Sequence, residues 1–324
     1  MQWLELVDGS FAVHARHQEL CAALTERDVR IDLVWIDAPY SDKTQRGHDE
    51  GAVSANRAKD WALRPKAQRI DPRTGADRNM TDRRHANREA CSTWNLAGGE
   101  RRTIVYPPWK PRDVRECVRL WAPLVDGWFV TITDEHLAPH WRHALAKAGL
   151  YVFASIPYVA PGSRARFLGD GPPLWACWMI FARVKSRAMA RWATTEEREK
   201  HGRPALPGAY VLPPGEGMGH TKRMPVVGGK PDWLHEQIVA GYSPPGGLVV
   251  DPCAGGGGAG RAALKLGRRA ILGDCMLEHA ELCAAALREG KAERERIERE
   301  AEQAVAYMPP AGRDEQAVLP FEVT

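Results

Sequence analysis

The chain predicts a doubly wound, mainly parallel α/β sheet carrying two irregular insertions, and three observations predict it. First, short apolar runs alternate with longer helical patterns, the rhythm of β–α–β units. Second, the run Ile31 to Ile36 ends abruptly in Asp37-Ala38-Pro39-Tyr40. A continuous apolar run closed by turn residues suits a strand covered on both faces, as in a parallel sheet. Third, Val249-Val250-Asp251 runs through Pro252-Cys253-Ala254 into Gly255 to Gly258, a strand that turns on glycine before a helix. Ligands of open α/β sheets bind beyond the carboxyl ends of such strands, so these two turns are the candidate site.

Composition sets the class. At 324 residues the chain can bury a substantial core, as one large domain or two smaller ones. Hydrophobic content of 44% and charged content of 27% are ordinary for a soluble protein. No apolar run approaches the roughly 18 residues of a membrane span, so no membrane partner is expected. Met1-Gln2-Trp3-Leu4-Glu5 lacks the basic lead and long apolar middle of a signal peptide, and a cytoplasmic location is expected. A net charge of +4 permits nucleic-acid binding without demanding it. The seven cysteines (Cys21, Cys91, Cys117, Cys177, Cys253, Cys275, Cys283) form no Cys-x-x-Cys pair and no zinc-ligand spacing. They read as reduced, mostly buried thiols, and no metal is expected. Most of the twelve tryptophans should be core, with a few as stacking surfaces.

In chain order, Leu4 to Val7 reads as a short strand ending in Asp8-Gly9, followed by a helix from about Ala12 to Leu24 and the strand that delivers Asp37. Residues 41–99 then break the pattern, being polar, aperiodic and rich in basic residues such as Arg57, Arg64, Arg73, Arg78 and Arg84. Either this is a solvated insertion or it is a basic, mobile arm that closes over the site and touches phosphates. The second reading is favoured, because the segment leaves directly from the candidate site. Alternation resumes with a helix over Asp113–Ala122, a strand over Trp128–Thr133, a helix over Leu137–Ala148, and strands over Leu150–Val159 and Leu174–Val184. Residues 185–227 form a second Pro/Gly-rich, charged region. A helix over Pro231–Ala240, a strand over Leu248–Asp251, a helix over Ala259–Leu266, a strand over Ala270–Gly273 and a helix over Glu278–Arg288 complete one domain, 1–288. Residues 289–324 read as a polar helix with a solvated face and a disordered tail.

An acid held beside a stiff turn and a flat aromatic could grip a planar, amino-bearing ring. Asp37-Ala38-Pro39-Tyr40 resembles the signature of the amino-group (adenine-N6 or cytosine-N4) DNA methyltransferases: an acid, Asn or Ser followed by Pro-Pro and an aromatic. Ala38 departs from it at the first proline. The glycine turn by itself admits three readings. A phosphate-binding P-loop needs Gly-Lys-Ser/Thr where Gly260-Arg261-Ala262 stands. A dinucleotide fold stays open, with Asp274 about 20 residues on to grip ribose hydroxyls. The third is an S-adenosylmethionine site, because Asp251-Pro252-Cys253-Ala254-Gly255 resembles the family's Asp-Pro-Phe-Ala-Gly, with Cys253 replacing Phe. Pro252-Cys253 also evokes the thiolate nucleophile of cytosine-5 enzymes, but that cysteine follows a different strand and no glycine turn.

Gly229-Lys230-Pro231-Asp232-Trp233-Leu234 resembles the Lys-Pro-x-x-Leu element preceding the family's cofactor strand. With the catalytic tetrad early and the cofactor strand late, the motif order resembles the circularly permuted beta class, whose domain is Rossmann-like. The resemblance spans Leu4 to Arg288, outside the two irregular segments. It implies that Asp251 and the loop through Gly255 and Gly257 hold the cofactor's methionine end and Asp274 its ribose, with Lys230 and Pro231 nearby. It also implies that Asp8 lies near the cofactor's adenine and that residues 174–184 border the base pocket. The catalytic group would be Asp37, Ala38, Pro39 and Tyr40. Asp37 and the backbone carbonyl of Ala38 would accept the two amine hydrogens, and Tyr40 would stack on a base rotated out of duplex DNA. Asp at the first position implies adenine N6, with cytosine N4 the alternative.

Recognition of double-stranded DNA should fall to 185–227, a probable target-recognition region, helped by the arm or by a second subunit in a homodimer. Gln316-Ala317-Val318-Leu319-Pro320-Phe321 resembles the Gln-x-x-Leu-x-Phe peptides that dock on the bacterial sliding clamp, implying contacts through Gln316, Leu319 and Phe321. Two rival functions remain at this point: a similar fold acting on RNA or a small molecule, and an inactive DNA-binding relative.

Overall fold

The computed structural model describes residues 1–45, 104, 106–160, 176–186, 188–203, 205–213 and 226–306. Most of the predicted basic arm (46–99) and the clamp-like peptide at Gln316, Leu319 and Phe321 lie outside these residues, as do 187, 204 and 214–225 of the predicted recognition region.

The chain opens on a hairpin. β1 (Gln2–Val7) and β2 (Ser10–His14) pair antiparallel across Asp8 and Gly9, both at positive φ (48° and 72°). Asp-Gly is a favoured dipeptide for a two-residue turn matching strand twist. The helix expected from Ala12 therefore starts later, as α1 (His17–Glu26), and Ala12 belongs to a strand. β3 (Ile31–Ile36) follows as expected. Beyond the arm come α2 (Pro111–Trp121), β4 (Val125–Thr133) and α3 (Ala138–Lys147). The single strand expected over Leu150–Val159 is interrupted into β5 (Tyr151–Val152) and β6 (Ile156–Val159). Both pair with β7 (Ala176–Arg183), and the register slips by one residue between them, a bulge that periodicity does not reveal. Within 185–213 the chain forms α4 (Thr195–Lys200) and β8 (Tyr210–Val211), which adds to the sheet beside β6.

The last third contains α5 (Asp232–Tyr242), β9 (Leu248–Asp251), α6 (Gly258–Lys265), β10 (Arg269–Asp274) and α7 (Leu277–Ala306). The two helices expected on either side of Gly290 are one. That glycine is a packing position, where a Cβ would lie 2.5 Å from the Arg261 carbonyl oxygen on α6.

The ten strands form one sheet in the order β1-β2-β10-β9-β3-β4-β7-β6-β8, with β5 also paired to β7. β2, β10, β9, β3 and β4 are mutually parallel, whereas β1 and β7 are antiparallel to their neighbours. The mainly parallel expectation thus holds for the centre of a mixed sheet. From β9 the chain passes through α6 outward to β10, and from β3 through α2 outward to β4 in the opposite direction. The gap between β9 and β3 is therefore the topological switch point, where such sheets bind ligands.

Alternate residues of β3 separate the two cores. Leu33 and Trp35 pack with Leu234, Ile238 and Ala259 on the α5–α7 side, and Val34 and Ile36 with Leu20, Val118 and Trp141 on the α1–α3 side. This is the two-sided burial its sequence implies. Among the described residues, no helix is long and apolar enough to cross a membrane.

Candidate active site

β3 and β9 are hydrogen-bonded neighbours, with Val34 opposite Val250, so Asp37 and Asp251 leave the sheet side by side. Asp37 Oδ2 accepts from Lys230 Nζ at 2.7 Å, and the same ammonium donates to the Gly228 carbonyl at 2.8 Å and lies 5.1 Å from the Tyr40 ring centroid. Lys230, expected beside the cofactor, is thus placed on the candidate catalytic acid. Burial pushes the Asp37 carboxyl up, and the Lys230 ammonium pulls it back without cancelling the rise. With the Lys230 side chain 8% exposed and that of Asp37 19% exposed, the pair is sheltered but not sealed.

Lys230 is held there by the helix it introduces. Pro231 is the N-cap of α5, one position before the first helical turn predicted for it. One turn on, His235 Nδ1 accepts from the Trp35 indole at 3.0 Å, which locks α5 to β3. Burial brings His235 down to about 4, so it is a neutral acceptor.

The loop after β3 is pinned along its length. Ala38 is buried in the α1–α3 core, and Pro39 leads into Tyr40, whose carbonyl accepts from the Trp109 amide at 3.1 Å. The Tyr40 hydroxyl donates to Cys177 Sγ on β7 at 3.4 Å, and burial pushes that hydroxyl's pKa far up. Asp134, just after β4, accepts from the Ser41 amide at 2.8 Å and from the Ser41 hydroxyl.

The glycine turn lies alongside. Asp251 is buried, and its Oδ1 accepts from the Cys253 amide at 3.0 Å. Burial, with Asp37 and Asp274 adding to it, holds its carboxyl well above the ordinary range. Asp274 Oδ2 accepts from the Gly255 amide at 3.0 Å, tying the turn to β10, and the Ala254 amide donates to the Gly273 carbonyl. Gly255, at φ 51°, is the open glycine: a Cβ there would find its nearest neighbour, Val226 Cγ1, at 3.8 Å. Gly257, at φ 76°, is packed instead, since a Cβ there would meet Ala286 Cβ at 2.6 Å. Burial keeps the Cys253 thiol protonated, unlike an attacking thiolate.

Asp8 does not join this group. β2 runs parallel to β10 with His14 opposite Asp274, so Asp8 and Gly9 sit at the amino end of the sheet, away from the switch point. Asp8 pairs with Lys291 Nζ at 3.0 Å. The hairpin reversal is the reason: the strand that reaches the site is β2, and it ends in His14-Ala15 rather than an acid.

No protein-family model matches the chain, and no curated protein matches its sequence. Among solved structures, the M1.HpyAVI–SAM complex superposes with a TM-score of 0.51 at 15% identity, over 85% of this chain and 97% of that one. M1.HpyAVI in a second structure gives a TM-score of 0.51 at 15% identity, over 85% and 96%. The chain thus shares the fold of M1.HpyAVI. TTHA0409 of Thermus thermophilus, a provisionally assigned DNA modification methylase, is a looser match, with a TM-score of 0.46 at 20% identity over 85% and 93%.

Four residues around these turns lie outside the sequence motifs. Asp134 anchors the loop after β3, His279 Nδ1 lies 3.3 Å from Asp274 Oδ1, and Tyr158 with Cys177 lines the Tyr40 side. One signal for Asp134 was present: like Asp37, it directly follows an apolar strand. Among the described residues, no cluster of His, Cys, Asp and Glu could hold a metal ion.

Proposed function

We propose that this chain is an S-adenosylmethionine-dependent DNA methyltransferase acting on the exocyclic amine of a base rotated out of the duplex, with adenine N6 as the target. One observation carries the reading: an acid–aromatic loop and an acid-rimmed glycine turn lie side by side at the switch point of one sheet. A fold shared with a protein solved with SAM supports the choice of cofactor.

The residues fit that group. Asp251 is a buried carboxyl flanked by two further acids, an environment that favours a cation. It would face the cofactor's ammonium, Asp274 would face ribose hydroxyls, and the backbone from Cys253 to Gly255 would cradle the methionine end. Bound there, the cofactor supplies an activated methyl on a sulfonium.

The chain's own residues prepare the amine, whose lone pair is delocalised into the ring. Asp37 and the Ala38 carbonyl accept its two hydrogens and so favour the tetrahedral nitrogen, preorganised electrostatics in a sheltered site. Tyr40 stacks on the flipped base, worth on the order of 1–3 kcal/mol. Positioning against the methyl supplies much of the remaining acceleration. The Lys230 ammonium, on the carboxylate and over the Tyr40 ring, occupies the place this mechanism gives the amine, and the base replaces it there. Adenine is favoured because Asp stands first in the tetrad. The basic segments 41–99 and 185–227 would hold phosphates, which position DNA without reading its sequence.

Expression in a methylation-free host, followed by sequencing for modified bases, tests the proposal. The wild type should leave N6-methyladenine at one recurring site, and Asp37→Ala should leave none while still binding S-adenosylmethionine. Unmodified DNA from the wild type, or equal modification by both proteins, would refute it; N4-methylcytosine would correct the base alone.

A further inference from the structure

Tyr158 on β6 carries a polar group that no described residue pairs with. The residue is 3% exposed, and its hydroxyl has no hydrogen-bond partner among the described residues. Buried polar groups in folded proteins are nearly always paired, so an unpaired one points to a ligand. Its neighbours locate it. Tyr158 lies directly opposite Cys177 in the β6–β7 pairing, which sets the two side chains next to each other on one face. Cys177 Sγ accepts from the Tyr40 hydroxyl at 3.4 Å, and the Tyr40 ring lies beneath the ammonium held by Asp37. Burial, then the nearby Cys177 and Asp37, raise the Tyr158 hydroxyl's pKa, which keeps it protonated and able to donate.

We propose that Tyr158 reads the target base, its hydroxyl donating to the ring nitrogen beside the amine that Asp37 holds: N1 of adenine or N3 of cytosine. The inference rests on the DNA methyltransferase reading and deepens it. Along one edge an amino-bearing base offers an N–H donor and, next to it, a ring-nitrogen acceptor. Asp37 and Tyr158 present the complementary acceptor and donor. Guanine and thymine offer a carbonyl and an N–H at those positions, which would set oxygen against carboxylate and donor against donor. Selection of the base would then come from two side chains, one in the loop after β3 and one on β6.

The test is Tyr158→Phe, which keeps the ring. Without DNA its melting temperature should equal or exceed that of the wild type, because the lost hydroxyl has no partner to leave behind. A clear fall would mean a structural partner and overturn the assignment. Transfer is then compared on duplexes carrying the site found by modification sequencing, with either the natural base or its analogue in which that ring nitrogen is C–H (1-deazaadenine or 3-deazacytosine). The wild type should lose about tenfold in kcat/KM on the analogue, as a lost hydrogen bond predicts. Tyr158→Phe should lose about as much on the natural base, treat both duplexes alike, and bind S-adenosylmethionine unchanged. If Tyr158→Phe discriminates as the wild type does, the assignment fails and DNA methylation stands. If the wild type methylates neither duplex, both fall.

Discussion

Each of four parallel strands delivers an acid to one rim of the sheet: Asp37 from β3, Asp134 from β4, Asp251 from β9 and Asp274 from β10. Their surroundings give them different work. Asp134 is the structural one, since burial would raise its carboxyl but hydrogen bonds from Ser41, Thr44 and the Leu137 amide outweigh that and lower it. A depressed carboxylate contributes stability above its ordinary pKa and loses it as pH falls through the lowered value, so Asp134 should contribute to acid sensitivity. It also does what the missing proline at Ala38 would have done, by fixing the loop from its far end. Asp134→Ala should therefore cost about 2–4 kcal/mol in chemical denaturation. It should slow methyl transfer while leaving S-adenosylmethionine affinity intact. A parallel loss of cofactor affinity would show that the anchor serves the whole rim rather than the Asp37 loop.

Between elements, the glycine run does two jobs that composition does not separate. Gly255 opens toward Val226, whereas Gly257 seats α6 against α7 at a backbone angle that L-residues resist. Gly257→Ala should cost about 2–4 kcal/mol, combining left-handed strain with overpacking against Ala286 and Cys283. Gly267→Ala is the comparison, because it shares a positive φ (72°) but meets only the Arg294 guanidinium at 3.9 Å. It should cost about 1–2 kcal/mol, from strain alone. Equal midpoints in denaturant for the two variants would mean that the α6–α7 contact relaxes freely. The long helix α7 follows the same logic: Gly290 fits against α6 instead of stopping the helix, so the element runs to Ala306.

Over the whole molecule, charge is distributed against its total. The chain is basic, at +4, yet Asp37, Asp251 and Asp274 converge at the switch point with Lys230 as the nearby cation. A basic body with an acidic pocket suits a polyanion outside and a cation inside. Because Asp251 is held well above its ordinary range, a cationic cofactor should bind with release of a proton, and affinity should rise with pH until that carboxyl is fully ionised. Calorimetry in two buffers of different ionisation enthalpy measures the proton directly, and Asp251→Asn should abolish it. Binding heats independent of buffer would remove Asp251 from the cofactor's ammonium.

Much of this was legible in the chain itself. Ile31–Ile36 announced a strand buried on both faces, and Asp37 to Tyr40 and Asp251 to Gly255 announced turns at strand ends, because apolar runs and turn residues act through local sterics and burial. The hairpin was legible too, in Asp8-Gly9, but reading it as the end of a lone strand put Asp8 at the wrong end of the sheet. What the tertiary structure decided was adjacency. Lys230 lies far along the chain from Asp37 and meets it because α5 docks on β3 through the Trp35–His235 hydrogen bond and the packing of Leu234 and Ile238; Tyr158 reaches the Tyr40 side only through the register of β6 on β7. Strand order and register are set by the packing of both faces at once, a property of the closed core that no local stretch contains.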